Sequence, residues 1–304
     1  MARLPGHVRI VEVGPRDGLQ NEAVALPPGQ RVALVRALIG AGVRDVEVGS
    51  FVSAKAVPQM ADTEAVLAEL SDESDARLTV LVPNMTGYEA ALRAGAKDIA
   101  LFVAASEGFS QRNTRCSVEE ALGRAATIAS AARRHGISMR GYVSCVVDCP
   151  YDGAVDPQRV AELSRKLIDI GCREVSLGET IGTGTPDRIE TLIDTVARAV
   201  PVERIAAHFH QTWGQALVNV RVALEKGVAI IDSSAAGLGG CPFANGAAGN
   251  LATEDLLYML DGMGIATGVD MAAVARAGWD MCAQLGRRPA SQASLALMAR
   301  EGRG

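Results

Sequence analysis

The feature that most constrains this chain is an alternation. Short runs rich in Val and Ile are followed by longer Ala/Leu-rich stretches of helical period, and the pair recurs along the sequence. The runs that read as strands cover residues 8–13, 43–49, 78–82, 98–103, 138–146, 174–177, 205–209 and 229–233. Helical stretches lie at 29–41, 63–70, 118–135, 157–170, 186–199 and 214–226; in the fourth, Val160, Leu163, Leu167 and Ile168 share one side. Gly42, Gly95, Gly136, Gly171 and Gly227 each stand where a helix should stop before the next strand. About eight strand–helix units in roughly 250 residues is the arithmetic of a (β/α)8 TIM barrel. The rival doubly wound sheet calls for a Gly-x-Gly-x-x-Gly turn after its first strand. Here that turn is Gly14-Pro15-Arg16-Asp17-Gly18. The expectation is a single α/β domain: a barrel over about 7–240, extended by a loop and helices over 241–304, with helical stretches at 253–263 and 271–285 and no Pro/Ser linker between the two parts.

Charge and composition narrow the function. Lys+Arg 30 against Asp+Glu 35 leaves a net charge of -5, with no basic excess for a nucleic-acid backbone. No uncharged apolar run approaches the ~18 residues a membrane helix needs. The opening residues show no signal-peptide apolar stretch, and the cysteines Cys116, Cys145, Cys149, Cys172, Cys241 and Cys282 are sparse and irregular. They read as reduced thiols of a cytoplasmic protein, with Cys145, Cys149 and Cys172 as fillers.

A barrel enzyme places its chemistry at the C-terminal ends of the strands, and the reactive side chains gather there. Arg16 and Asp17 follow the first strand, Glu47 is near the end of the second, and Glu179 follows the sixth. His208 and His210 close the seventh, and Cys241 and Asn250 follow the eighth. Alternation along a strand puts His208 and His210 on one face, half of a divalent-metal site that Asp17 and Asn250 can complete. The nitrogen–oxygen donor set without thiolate favours Mg²⁺ or Mn²⁺. Arg16 beside such a carboxylate is placed to stabilise negative charge on an oxygen; the alternative is a surface turn with a local ion pair. Glu47 lies in an otherwise apolar strand, where a buried carboxylate is costly without a partner. It calls for Arg16 or another cation, for catalysis or for packing. Cys241 sits in the glycine-rich stretch from Gly237 to Asn250, suited to a general acid or base, or else is an inert filler.

These motifs together resemble one family. Val11 to Asn21, Ser50-Phe51-Val52-Ser53, Arg140 to Cys145, and Gly237 to Leu256 closely resemble hydroxymethylglutaryl-CoA lyase, in order and spacing, from about His7 to Leu285. The resemblance implies retro-Claisen cleavage of 3-hydroxy-3-methylglutaryl-CoA to acetyl-CoA and acetoacetate. It implies Asp17, His208, His210 and Asn250 as metal ligands, Arg16 polarising the thioester carbonyl, Cys241 protonating the departing carbanion, and Glu47 as a supporting carboxylate. It also implies an acyl-CoA substrate and a homodimer. Two positions depart from the family pattern: Glu179 and Gln211 stand where Asp is usual. They leave open the base and the acyl group, so a related 3-hydroxy-3-alkylglutaryl-CoA or citramalyl-type thioester, or an acyl-CoA-binding paralogue without activity, is the alternative.

Overall fold

The computed structural model describes residues 4–239 and 249–302. Eight parallel strands close into a barrel: β1 (Arg9–Glu12), β2 (Asp45–Ser50), β3 (Arg77–Leu81), β4 (Asp98–Ala104), β5 (Ser138–Ser144), β8 (Val175–Glu179), β9 (Ile205–Phe209) and β10 (Ile230–Ser233), with β1 paired to both β2 and β10. Between β5 and β8, β6 (Asp148–Cys149) and β7 (Gly153–Ala154) form a small antiparallel hairpin. The helices are α1 (Pro28–Gly40), α2 (Thr63–Glu69), α3 (Met85–Arg93), α4 (Glu107–Thr114), α5 (Val118–Arg134), α6 (Pro157–Asp169), α7 (Pro186–Ala197), α8 (Ala216–Glu225), α9 (Thr253–Gly262), α10 (Met271–Leu285) and α11 (Gln292–Arg300). This is the expected (β/α)8 barrel with its C-terminal helices.

The expected elements form, and several more appear. α4 has the sequence Glu-Gly-Phe-Ser-Gln-Arg-Asn-Thr, too polar to carry a helical apolar period. α3 is signalled by its cap, Asn84, whose side chain accepts from the Gly87 N–H at 2.9 Å. β5 ends two residues before the expected point because Cys145 takes a positive φ of 60°, which breaks the extended run.

Two apolar regions result from strand alternation. The larger one lies between strands and helices, where Val46, Val48, Leu101, Val103, Val143, Leu177 and Phe209 meet Leu34, Leu38, Ile128, Leu163 and Ile193. The other is only Val11, Val13, Ala206 and Ile230. Much of the barrel interior is polar, because alternate positions of the strands carry Asp45, Glu47, Thr79, Asp98, Arg140, Tyr142, Ser176, His208 and Asp232, all buried. Contacts between strands that do not pair put these groups inside: Arg140 of β5 bonds Asp232 of β10, and Tyr142 of β5 lies 3.5 Å from Glu47 of β2.

The chain leaves β1 through a single π-turn, Gly14–Gly18, in which the N–H groups of Asp17 and Gly18 donate to the Val13 carbonyl at 2.7 and 3.2 Å. Such one-turn widenings recur at functional sites. Here it aims Arg16 and Asp17 across the barrel mouth. Gly18 is required by close approach: a Cβ there would lie 2.8 Å from the Leu238 Cβ and 3.0 Å from its carbonyl oxygen. Neither atom can swing away, so Gly18→Ala should lower unfolding stability by about 1–3 kcal/mol, measured by urea denaturation. A variant as stable as wild type would show that the turn is not held against Leu238.

Candidate metal centre

His208 occupies an inward position near the end of β9, and His210 stands one residue past it. The Leu251 N–H donates to the Phe209 carbonyl at 3.1 Å and the Gln211 N–H to that of Gly249 at 2.8 Å. These bonds bring Asn250 beside His210. The two imidazole centroids are 5.2 Å apart, as the i, i+2 spacing implies.

Each ring is oriented through Nδ1. That of His208 lies 3.2 Å from Asp232 Oδ2, and that of His210 lies 2.9 Å from the Glu179 carbonyl oxygen. A carbonyl only accepts, and so does an ionised carboxylate, so both Nδ1 atoms donate, and in the neutral form of each ring Nε2 is the atom with the lone pair. Although burial works against a charge on His208, its bond to Asp232 raises its pKa, so a cation at Nε2 competes there with a proton. Burial alone would lift Asp232, but the Arg140 guanidinium and the bond from His208 hold it well below the ordinary carboxylate range. Burial, with the neighbouring His208, pushes His210 down to about 4. It is neutral at pH 7, as a ligand must be.

Asp17 completes the group. Its Oδ1 accepts from Arg16 Nη1 at 2.5 Å, and its Oδ2 accepts from Asn250 Nδ2 at 2.9 Å and lies 4.0 Å from His208 Nε2. Burial works against its charge, but Arg16 and the two imidazoles hold it down at about 2. Ligand atoms of Asp17, His208 and His210 all lie within 4.8 Å of one another. Asn250 Oδ1 is buried with no hydrogen-bond donor among the described residues, although Nδ2 of the same amide is engaged by Asp17 and by the Leu238 carbonyl. A buried acceptor without a donor is costly, and the same amide turned over would present Oδ1, in place of Nδ2, to a cation beside Asp17. The residues present therefore fit a divalent ion.

Arg16 is buried rather than part of a surface turn: Nε donates to Glu47 Oε2 at 2.7 Å and Nη2 lies 2.5 Å from the same oxygen. The cation that Glu47 called for is thus Arg16. Burial pushes the Glu47 carboxyl above its ordinary range, opposed by Arg16.

Glu179 behaves differently. It has the outward parity of Leu177, and its Oε1 accepts from the Thr183 N–H at 3.1 Å. Its carbonyl, not its carboxyl, serves the histidines. Burial pushes that carboxyl up to about 7. Gln211 caps α8, accepting from the Ala216 N–H at 2.9 Å. Cys241 lies outside the described residues; Cys116, Cys145, Cys149, Cys172 and Cys282 are buried free thiols.

Sequence reasoning missed Asp232, Arg140 and Tyr142, which sit around the histidines. Tyr142 meets His208 edge-on at 6.1 Å between centroids, and the Arg140 guanidinium lies 4.8 Å from the Tyr142 ring. The available signal was parity: Arg140 and Tyr142 alternate along β5, as Ile230 and Asp232 do along β10.

Two further carboxyls brace the residues on either side of 240–248. Glu12 accepts from the N–H groups of Gly14 and Ala235 at 2.8 and 2.9 Å and from the Thr253 hydroxyl at 2.6 Å. Both oxygens of Glu254 accept from the Ala236 N–H at 2.9 Å, at a residue with positive φ of 55°.

A closed parallel barrel with two imidazoles and a carboxylate converging at the C-terminal rim of its strands, and the Asn250 amide bonded to that carboxylate, has the architecture of a barrel metalloenzyme. Comparison with known proteins is specific: residues 7–280 match the HMGL-like family, and the chain belongs to it. It is 52% identical over 297 residues to a 3-hydroxy-3-isohexenylglutaryl-CoA/hydroxy-methylglutaryl-CoA lyase of Pseudomonas aeruginosa, covering 98% of this chain and 99% of that one. It is 52% identical over 296 residues to a hydroxymethylglutaryl-CoA lyase of Pseudomonas mevalonii, covering 97% and 98%. The crystal structure of hydroxymethylglutaryl-CoA lyase from Pseudomonas aeruginosa superposes with a TM-score of 0.96 over 98% of this chain and 99% of that one, at 52% identity.

The bracing carboxyls generate a pH prediction. Burial raises Glu12 to about 7 and Glu254 to about 8, from 4.5. In the window between 4.5 and those values the folded protein holds protons that the unfolded chain has released, so stability falls as pH rises. Glu254→Gln keeps an acceptor for Ala236 but does not titrate. Its stability should fall less steeply from pH 5 to 8, by up to about 1.4 kcal/mol per pH unit, as read by denaturant titration. An unchanged slope would remove Glu254 from that dependence.

Proposed function

We propose that this chain is a carbon–carbon lyase that cleaves 3-hydroxy-3-methylglutaryl-CoA to acetyl-CoA and acetoacetate. The observation that carries the reading is the convergence of Asp17, His208 and His210 within 4.8 Å beside the buried Arg16. The names of relatives at 52% identity supply the substrate class.

Retro-Claisen cleavage needs a tertiary hydroxyl to lose its proton and a thioester to accept the electron pair of the breaking bond. In this reading Asp17, the Nε2 atoms of His208 and His210, and Asn250 Oδ1 hold Mg²⁺ or Mn²⁺. A bound divalent ion acts as a Lewis acid on the substrate oxygens and makes the hydroxyl easier to deprotonate. Arg16 places a buried guanidinium where the thioester oxygen gathers charge. Its orientation is fixed beforehand by Glu47 and Asp17, so little reorganisation is left for the moment of reaction. The acetyl-CoA carbanion must then be protonated, and Cys241 is the donor in this assignment.

Glu179 and Gln211 give little support to a different acyl substrate. Each is engaged with the segment that follows it, Glu179 with Thr183 and Gln211 with Ala216. The runner-up, a longer 3-hydroxy-3-alkylglutaryl-CoA, is suggested by the double name of the Pseudomonas aeruginosa relative. A panel of these thioesters assayed with Mg²⁺ or Mn²⁺ decides between them. Turnover should be fastest on the methylglutaryl thioester and disappear with chelator. Cleavage of a longer homologue alone would replace the substrate, and none on any would remove the lyase reading. Cys241→Ala should lower turnover by ~10²–10⁴ with metal affinity retained by calorimetry; a near-normal rate would take Cys241 out of the mechanism.

A further inference from the structure

The floor of the barrel is a closed circuit of alternating charges. Arg9 of β1 pairs with Asp45 of β2 at 3.1 Å, Asp45 with Arg77 of β3 at 2.9 Å, and Arg77 with Asp98 of β4 at 3.3 Å. Asp98 pairs with Arg173 at 2.6 Å, Arg173 lies 3.9 Å from Glu174, and Glu174 returns to Arg9. The circuit ties the first four strands to the residues that lead into β8.

One branch leaves it. Glu174 Oε1 accepts from Arg140 Nε at 2.7 Å, and Arg140 rises through the interior to Asp232 with two bonds, Nη1 to Oδ2 at 2.9 Å and Nη2 to Oδ1 at 2.5 Å. A bidentate guanidinium fixes a carboxylate in plane as well as in distance. Ser176 Oγ adds a donor to Oδ2 at 2.8 Å. The same Oδ2 meets His208 Nδ1. Arg140 and Asp232 are 1% and 0% exposed by side chain, so water does not compete for these bonds.

We propose that Glu174, Arg140 and Asp232 form a positioning column, anchored in the ionic floor, that fixes His208 in the Nδ1–H tautomer with Nε2 turned to the cation. This inference rests on the metal-dependent reading above. None of the three is among the metal ligands proposed above. They act through His208, whose ring would otherwise be free to carry its proton on Nε2 and withdraw from the donor group. A hydrogen-bond partner behind a metal-bound imidazole is typically worth 10–100-fold in metal affinity.

The test uses the full chain. Asp232→Ala leaves Arg140 with unmet donors in the interior and can fail to fold, so the decisive variant is Asp232→Ala/Arg140→Met, which removes both charges of the pair together. The chain has only 4 histidines, so ¹⁵N-histidine NMR resolves the tautomer of each in the metal-free protein. Wild type should show His208 with its proton on Nδ1; the double variant should shift it toward Nε2 and bind Mn²⁺ about 10–100-fold more weakly by calorimetry. Asp232→Asn combined with Arg140→Met, which can still place a carbonyl oxygen at the Oδ2 position with no guanidinium opposed to the amide NH2, should recover part of both. An Asp232→Ala/Arg140→Met variant that keeps the Nδ1–H tautomer, or binds Mn²⁺ as tightly as wild type, overturns the proposal. A wild-type chain that cleaves no thioester, yet shows the expected tautomer and the expected loss of Mn²⁺ affinity in the variant, overturns the lyase reading and upholds this one.

Discussion

Charge inside the barrel is the constraint on which the rest of this structure depends. Barrel interiors of this kind are ordinarily filled by layers of branched aliphatic side chains, but here the branched side chains clustered there are Val11, Val13 and Ile230, with Ala206. Isolated ions cannot be left in such surroundings. β1 to β5 and β10 therefore present Arg9, Asp45, Arg77, Asp98, Arg140 and Asp232 each at the height of an opposite charge. The register of the strands is consequently fixed twice, by backbone bonds and by ion pairing across the lumen.

That requirement reaches the mouth. Glu47 is tolerable because Arg16 lies on it, and Arg16 lies on it because the π-turn after β1 widens at that point. The same guanidinium neutralises Asp17, which stays ionised despite burial. The two imidazoles are then oriented from below by Asp232 and from the side by the Glu179 carbonyl. Packing and site geometry are two descriptions of one set of contacts.

Much of this was legible in the sequence, for physical reasons. Strand and helix periods differ, so the alternation of the two is visible before any contact is known. His208 and His210 share a face because pleating leaves no other option, and Glu47 demanded a cation because a lone carboxylate could not stay buried. Other parts were hidden. The carboxyl of Glu179 turns to Thr183 because its parity points it away from the lumen, which a reading by proximity to the strand end overlooked. Asp232 and Arg140 make their contacts across the lumen between strands that are not neighbours, and no local pattern reveals a partner 92 positions away. The polar helix α4 has no apolar stripe to announce it.

Asp17 and Asn250 meet although 233 positions separate them. One follows the first strand and the other follows the last, on either side of the line where the sheet closes on itself. An ion gripped by both would act as a clasp on that seam, drawing native molecules out of the folding equilibrium in proportion to its concentration. A ribosome-bound chain that stops short of Asn250 would have no such clasp, so assembly of this centre must wait until that residue has been added.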